Sequence, residues 1–372
     1  MEIKLLPTSS KAEATTGWFI KMDLNLAQNF IHQIHSFFKD SVDVILFNDG
    51  KFIDEASSFD RSINCCKFKA SDTDFEYQSL STTQKPLVFL FNWNSELKEI
   101  QKPKISIEIK AHVKKDFLEI QLSDFQWGSR IPDSENRNST DKNIPIEVDF
   151  SFNLSESSEL NYYRLSFLSS HLDDIGLSQF FINEKVGLHS FIFSKNASKS
   201  QHRLLAQFKA ENSIAHFYAA TLTEKNNVSE HFSNIEHHVG NCSSEQLYKY
   251  VLLDSSKASF TGKIYIAPKA QKANSNQLVQ SLLVGEKVES RTQPILQIYA
   301  DDVKATHGST HGQINSEELF YLQSRGLDKD KSLLILNKAF LEEIFLKIQN
   351  LEIRNFCLYI FNFNPFEMEK KL

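Results

Sequence analysis

Short segments in which apolar and polar residues alternate dominate the chain from about residue 86 to residue 313. Examples of strand length are Ile105–Ile109, Phe117–Leu122 and His216–Leu222, and a period of two residues is typical of β-strands. Clusters of Asp, Asn, Ser and Lys separate the segments and favour turns. Hairpin signals are few, because no Asn-Gly dipeptide occurs and Asp49-Gly50 lies before this region. The pattern predicts either a sandwich or a parallel solenoid.

The spacing of the apolar segments bears on this choice. Ile264, Leu282 and Ile298 head successive segments about 16 to 18 residues apart, a spacing compatible with one coil of a β-helix. A sandwich can produce a similar spacing, so the pattern alone leaves both architectures open.

The two ends of the chain have a different pattern. Leu26–Phe38 carries apolar residues at helical spacing, and Val44–Phe47 has the composition of a strand. After residue 313, Asn315 and Glu318 resemble a capping pair, and Arg325-Gly326 ends the helix that they begin. Two further helices follow. We therefore expect a small mixed or helical N-terminal region at 1–85, a β core at 86–313 and a helical C-terminal subdomain at 314–372.

Composition and charge exclude several classes of protein. A net charge of −6 without a long basic run argues against nucleic-acid binding. The 31 Phe against 3 Trp favour β-structure. No GxxxxGKS/T, GxGxxG or GxSxG motif occurs, so no recognised motif for nucleotide hydrolysis is present.

The cysteines and the N-terminus indicate a compartment. The four cysteines include no CxxC pair, which fits reduced thiols better than a disulfide framework or a thiolate cage within one chain. The N-terminus lacks a basic start followed by an apolar run, and no apolar stretch is long enough to span a bilayer. We expect a soluble, cytoplasmic protein without membrane contact.

An ordered set of motifs across about a hundred residues resembles the SufB/SufD family. Its blocks are His237 to Lys249, Asp254 to Ile264, Gln277 to Gly285, Pro294 to Lys304, His307 to Gln313 and Glu318 to Gly326. The resemblance implies a mainly β fold, a right-handed parallel β-helix with helical ends. It also implies a role in iron–sulfur cluster assembly.

The resemblance is to SufD more than to its paralogue SufB. Val279 stands where SufB has its cluster cysteine, and His307-Gly308 matches the SufD form. Two positions depart from the family pattern. Ala305-Thr306 stands where the family usually has Cys-Ser, and His311 stands where an apolar residue is expected.

The resemblance also implies partners. A SufD-type chain is a non-catalytic scaffold that pairs with a SufB-like paralogue and docks a SufC-like ABC-type ATPase. The docking helices would carry Phe320, Tyr321, Arg325 and Gly326. Iron or a transient iron–sulfur cluster would be handled at the SufB–SufD interface, with none stably bound by the chain alone. A homodimer of the isolated chain is also compatible.

The candidate ligands are few. Neutral imidazole is a good borderline ligand for iron, and the resemblance makes His307 the expected metal or cluster ligand at the interface. His311 is four residues later and shares its face in a strand, so it is an auxiliary candidate. Cys242 is a second auxiliary, with a buried structural thiol as the alternative reading.

Two alternatives remain open from the sequence. The first is a β-helix carbohydrate-active enzyme, against which the missing secretion signal weighs. The second is a SufB-like subunit that accepts the cluster itself, against which Val279 in place of a cysteine weighs.

Overall fold

The computed structural model describes residues 31–32, 34–38, 42–49, 51–52, 64–68, 74–79, 85–93, 102–123, 143–168, 172–195 and 197–361. The strands are β1 Asp43–Asn48, β2 Lys51–Phe52, β3 Asn64–Phe68, β4 Asp74–Ser79, β5 Leu87–Trp93, β6 Lys104–Ile109, β7 Lys114–Ser123, β8 Ile144–Leu154, β9 Glu159–Phe167, β10 Leu172–Ile182, β11 Gly187–Lys195, β12 Lys199–Phe208, β13 Ile214–Thr223, β14 Val228–His237, β15 Ser243–Leu252, β16 Lys257–Ile266, β17 Asn274–Leu283, β18 Glu289–Ile298 and β19 Lys304–Gln313. The helices are α1 Ser316–Ser324, α2 Lys329–Leu346 and α3 Leu351–Ile360.

From β4 onward, successive strands alternate between two sheets. One sheet has the order β19-β17-β15-β13-β11-β9-β7-β5-β1-β2, and the other has the order β18-β16-β14-β12-β10-β8-β6-β4-β3. From β5 onward each strand pairs in parallel with the strand two places along the chain, as β15 does with β17 and β17 with β19. The result is a parallel β-helix of about seven coils. The predicted fold class is confirmed, and the sandwich alternative is excluded because its sheets would be antiparallel.

The length of one coil differs from the sequence expectation. Gln246, Gln277 and His307 occupy the same register position in β15, β17 and β19. One coil therefore spans about 30 residues and contains two strands. The spacing of 16 to 18 residues runs from a strand of one sheet to the next strand of the other, so equating it with a full coil was wrong.

The sheets begin before residue 86. Strand β1 pairs in parallel with β5, and β4 pairs in parallel with β6. The outermost strands at this end are antiparallel partners, β2 of β1 and β3 of β4. The predicted helix at 26–38 is seen as helical backbone at 31–32 and 34–37, and its first residues lie outside the described part. Strands thus extend the β core to residue 43.

Single left-handed residues turn the chain at the corners between strands. Among the residues that the structure describes, nine non-glycine residues have φ between 52° and 65°: Asp49, His112, Ser157, Lys185, Asn212, Lys225, Asn241, Asp254 and Lys272. Asn and Asp tolerate this conformation better than other non-glycine residues, whereas Lys adopts it only where its surroundings impose it. The corners therefore need neither glycine nor Asn-Gly. Hairpin signals are scarce because consecutive strands from β4 onward lie in different sheets.

Phenylalanines stack from coil to coil inside the β-helix. Phe47 lies in register with Phe91, with ring centroids 4.6 Å apart, and Phe152 with Phe180, at 5.1 Å. Parallel in-register pairing brings identical side chains together on one face, and offset stacking adds to the burial of apolar area. The abundance of Phe in the sequence has its structural cause in these columns.

A charged cluster interrupts the apolar interior in the middle coils. Arg164 on β9 is 1% exposed. Its guanidinium donates to both carboxylate oxygens of Asp174, at 2.6 and 2.9 Å, and its Nε lies 3.0 Å from a carboxylate oxygen of Glu119. A Cβ at Gly176 would lie 2.8 Å from the guanidinium, so the arginine requires glycine at that position.

The protonation states of this cluster follow from burial and from its mutual charges. Burial alone would lower the pKa of Arg164, but Asp174 and Glu119 raise it. Burial would raise the pKa of Asp174, and the guanidinium overrides that effect and lowers it. Burial raises the pKa of Glu119 against the opposing charge of Arg164. The Arg164–Asp174 pair is therefore ionised, and breaking such a buried pair typically costs about 3–5 kcal/mol.

Neutral histidines continue the polar column from this cluster. Ser178 Oγ lies 3.0 Å from His202 Nε2, and the Tyr250 hydroxyl lies 2.9 Å from His231 Nδ1. Burial lowers the pKa of His231 to about 3, and it lowers that of His202 well below its ordinary value, with the charge of Arg164 adding to both effects. Both rings are therefore neutral near pH 7.

Acid should destabilise the protein through these histidines. Between about pH 6.5 and pH 4 the unfolded chain protonates His202 and His231 and the folded chain does not, so the free energy of unfolding falls as pH falls. In His231→Gln this dependence should be shallower by about 1.4 kcal/mol per pH unit. Urea unfolding between pH 7 and pH 4.5 measures it.

Tyr250→Phe is the matched control for His231→Gln. It removes the hydrogen bond to His231 but keeps the imidazole, so it should lower stability by a similar amount at every pH. If His231→Gln has the same pH dependence as the wild type, the ring is not held neutral by burial.

Helices α2 and α3 pack on the outer face of the sheet that contains β15 and β17, and α1 contacts α2. The N-caps of α1, α2 and α3 are Asn315, Asp328 and Asn350, whose side chains accept from backbone N–H groups of the first turn. Phe345 of α2 stacks on Phe193 of β11 with centroids 4.7 Å apart. Of the helices that the structure describes, none combines the length and the apolar character needed to cross a bilayer.

Lys249 of β15 binds α2 through its side chain. Its side chain points outward from β15 and is 8% exposed. The ammonium donates to the carbonyl of Phe340 at 3.1 Å, lies 2.5 Å from a carboxylate oxygen of Glu343 and 4.7 Å from the Phe340 ring centroid. A buried cation with three such partners holds one helix at one place on the sheet.

Replacing this cation should loosen the helix. Lys249→Met keeps the apolar stem and loses the charged hydrogen bonds, so the free energy of unfolding should fall by about 1–3 kcal/mol. The control is Lys257→Met, which removes an ion pair to Glu289 whose partners are both about half exposed, and it should leave the urea midpoint unchanged. Equal losses in the two variants would contradict a specific role for Lys249.

Candidate functional site

The C-terminal end of the β-helix is open. Strands β18 and β19 are the last strands of their sheets, and no described strand pairs with their outer edges. Most side chains of β18 and β19 are exposed or half-buried, in contrast with the preceding strands. Ile298 and Tyr299 at the end of β18 are 38% and 59% exposed. Edge strands with exposed apolar side chains are surfaces on which another chain can pair.

His307 stands in this last coil on the side that faces the interior. It is in register with Gln277, which is in register with Gln246, and both glutamines are buried in the interior. The neighbouring position faces the opposite way, because a Cβ at Gly308 would lie 3.1 Å from Leu278, which packs against the helices. His307 is exposed because no coil in the described part of the chain covers it.

His311 lies on the same strand and the same face as His307. It is in register with Ser281, and its Nε2 lies 3.3 Å from the hydroxyl of Ser309. Four residues along a strand span about 13 Å. The two imidazoles therefore share a face, and the distance along the strand keeps them from ligating one ion through unaltered backbone.

Cys242 is not brought together with the histidines. It lies just before β15, and strand β17 separates β15 from β19. Its thiol is buried and donates to the carbonyl of Ala210 at 3.4 Å. Burial raises the pKa of this thiol, so it is a weak nucleophile and a weak metal ligand in this state.

The side chains of the adjacent residues His237 and His238 point to opposite faces of the sheet, as consecutive side chains of a strand do. His237 is buried with its Nε2 2.9 Å from Ser244 Oγ, whereas His238 is half-exposed with its Nε2 3.0 Å from Glu236. The opposite orientation of the two side chains is as expected, and their structural role stays a prediction. In the residues that the structure describes, no group of three or more His, Cys, Asp or Glu side chains is arranged to hold a metal ion.

Helix α1 presents an apolar surface. Phe320 and Tyr321 are 71% and 56% exposed, and none of the residues of α1 is buried. The guanidinium of Arg325 lies 5.2 Å from the Tyr321 ring centroid. Gly326 has a φ of 90° and follows the helix as a C-terminal stop, which only glycine adopts without strain.

Gln277 is a polar group at this end that the sequence did not single out. It is 1% exposed, and neither its amide nitrogen nor its amide oxygen has a hydrogen-bond partner among the described residues. A Cβ at Gly262 would lie 2.1 Å from this amide nitrogen, so glycine makes room for the side chain. A buried amide without partners typically costs about 1–3 kcal/mol. The sequence feature that could have identified Gln277 is its position one coil before His307.

Comparison with known proteins identifies the family of the chain. The model of the SufBD core domain of the SUF system for iron–sulfur cluster assembly matches residues 135–340. The chain is 31% identical over 195 residues to the iron–sulfur cluster assembly protein SufD of Escherichia coli, covering 52% of this chain and 46% of that protein. It is 35% identical over 148 residues to a SufBD family protein of Synechocystis, covering 40% of this chain and 33% of that protein.

A chloroplastic protein of Arabidopsis thaliana, ABCI7, is 38% identical over 113 residues, covering 30% of this chain and 24% of that protein. Because a chloroplastic relative exists, the cytoplasmic location stays a prediction. The chain matches less than half the length of each of these three relatives. The resemblance to SufD inferred from the motifs is confirmed: the chain belongs to the SufBD core family of iron–sulfur cluster assembly proteins, as a member of the SufD type.

Proposed function

We propose that the chain is a non-catalytic scaffold subunit that holds iron or a nascent iron–sulfur cluster as substrate at an interface with a SufB-like paralogue. The observation that carries this proposal is the open last coil with His307 on its inward face. Membership in the SufBD core family supplies the context of iron–sulfur cluster assembly.

The open end favours pairing with a chain of the same architecture. The edges of β18 and β19 offer unpaired backbone N–H and C=O groups, and a second β-helix presents matching edges. Exposed Ile298 and Tyr299 would be buried in such a contact. A paralogue can add ligands that this chain lacks, whereas a homodimer of the isolated chain would bring two copies of His307.

His307 is suited to supply one ligand of an iron site that is shared with the partner. Neutral imidazole binds iron through one nitrogen, and the remaining ligands would come from the partner. Because a single imidazole on an exposed strand binds iron weakly, the substrate would be released when the partners separate. This fits a scaffold from which a cluster is passed on.

The exposed helices favour docking of an ATPase. The chain has no phosphate-binding loop motif, so nucleotide hydrolysis would belong to the partner. Phe320 and Tyr321 are two exposed aromatic side chains of α1, and Arg325 lies beside the ring of Tyr321. Aromatic and arginine side chains of this kind are typical anchors of protein interfaces.

Affinity purification of the tagged chain from its native cell tests the assembly. We expect a SufB-like paralogue and an ABC-type ATPase in stoichiometric amounts. Recovery of the chain without either partner at low salt would contradict the scaffold proposal.

His307→Ala tests the ligand. The variant should fold and bind its partners normally, because the side chain is exposed in the chain alone, and the purified complex should contain less iron. The control is His311→Ala on the same face of β19, which we expect to reduce iron content less. Normal iron content in His307→Ala would remove this residue from the site.

Phe320→Ser tests the docking surface. Loss of the aromatic anchor should weaken ATPase binding by 10-fold or more, since an anchor typically contributes about 2 kcal/mol, and it should leave paralogue binding unchanged. The control is Phe232→Ser, a substitution at an aromatic side chain 36% exposed on the other sheet. Calorimetric titration with the purified ATPase measures both, and equal affinities in the two variants would contradict docking through α1.

A further inference from the structure

The interior column that ends at His307 has an unsatisfied member. The amide oxygen of Gln246 accepts a hydrogen bond from Ser233 at 2.6 Å, whereas its amide nitrogen has no partner in the described residues. Gln277, one coil closer to the open end, is equally buried, but neither polar atom of its amide has a partner in the described residues. Buried polar side chains are normally paired, so an amide with both ends unpaired calls for an explanation.

The surrounding residues leave a specific space for the amide of Gln277. Glycine at position 262 leaves the space that the amide occupies, and any other residue there would place its Cβ 2.1 Å from the amide nitrogen. An apolar side chain of similar length, such as methionine, would fill the same space without an unpaired polar group. The sequence therefore retains a polar group at a place where packing does not need one.

The unpaired amide lies beneath His307. The two residues are in register in adjacent strands, on the same face, and adjacent strands lie about 4.8 Å apart. In the chain alone the amide of Gln277 forms no hydrogen bond with His307, but the register places the inward side of His307 next to Gln277. When a partner covers the open end, the interior side becomes the only side on which the ring of His307 can find a polar group of this chain.

We propose that Gln277 is a positioning residue for His307. Its amide oxygen accepts the N–H of one ring nitrogen, which leaves the other nitrogen unprotonated and directed toward the substrate iron. The hydrogen bond belongs to this chain alone, while its use for iron rests on the proposed function.

The physical reason is the tautomer of the imidazole. A neutral ring carries one proton, and a metal binds only the nitrogen without it. Histidine ligands usually donate their other N–H to a carboxylate, a carbonyl or water, and loss of that partner typically weakens metal binding about 10–100-fold. The carboxamide of Gln277 is the buried acceptor in the column below His307.

The first experiment measures the tautomer without metal. The full chain is prepared with ¹⁵N-labelled histidine and bound to its unlabelled paralogue, and His307→Ala assigns the resonances of His307. The wild type should show one predominant tautomer, and Gln277→Met should show a mixture. Gln277→Glu keeps an oxygen acceptor and should restore a single tautomer. The control is Gln280→Met on the outward face of β17, which should match the wild type.

A second variant acts on Gln277 without replacing it. Gly262→Ala must displace the amide, so it should give the same mixture of tautomers as Gln277→Met. Identical spectra of His307 in the wild type, Gln277→Met and Gly262→Ala would overturn the proposal.

The third experiment measures ferrous iron binding under anaerobic conditions by the complex of the full chain with its paralogue. Gln277→Met should weaken binding 10–100-fold, Gln277→Glu should retain it within about 3-fold, and Gln280→Met should be unchanged. If the tautomer changes in Gln277→Met and neither that variant nor His307→Ala changes iron binding, the positioning holds and the proposed function fails. If His307→Ala abolishes iron binding and Gln277→Met leaves it unchanged, the proposed function holds and the positioning role is wrong.

Discussion

In-register parallel pairing of successive coils is the constraint on which the rest of the structure depends. Each strand between β5 and β17 has neighbours on both edges, so its backbone groups are paired and its inward side chains stack on like positions. Contacts in such a solenoid run only between neighbouring coils. The constraint that buries Gln246 and Gln277 thus also leaves His307 at the end of their column, inward-facing but uncovered.

The interior contains two polar regions of different character. Around Arg164 in the middle coils, the buried guanidinium is paired with the carboxylates of Asp174 and Glu119, and opposite charge keeps Arg164 and Asp174 ionised despite their burial. At the open end, the amide of Gln277 is buried without partners. A satisfied buried network stabilises one packing of the core. The unpaired amide beside the open edge is the group that we propose as the partner of His307.

The sequence predicted some features of this fold and not others. Alternation located the strands, and Asn315 located the start of α1, because both signals are local. Alternation indicates which side chains point inward but not which strands are neighbours, so it is compatible with both a sandwich and a solenoid. The ordered motifs, through the family resemblance, favoured the solenoid. His307 was found through a motif. Gln277 was missed because its significance depends on a register partner 30 residues away, and a glutamine in an alternating segment looks like an ordinary solvent-facing residue.

The last coil packs against one neighbouring coil instead of two, and this affects its dynamics. A coil in the middle can open only by breaking contacts with two neighbours, and the buried pair of Arg164 and Asp174 adds to that cost. The coil that contains β18 and β19 has one neighbour, so its local opening costs the least free energy of any coil in this half of the β-helix. The preceding coils are therefore rigid, whereas the last coil is adaptable. The last coil can adjust its shape to the surface of a binding partner without disturbing the coils on which it packs.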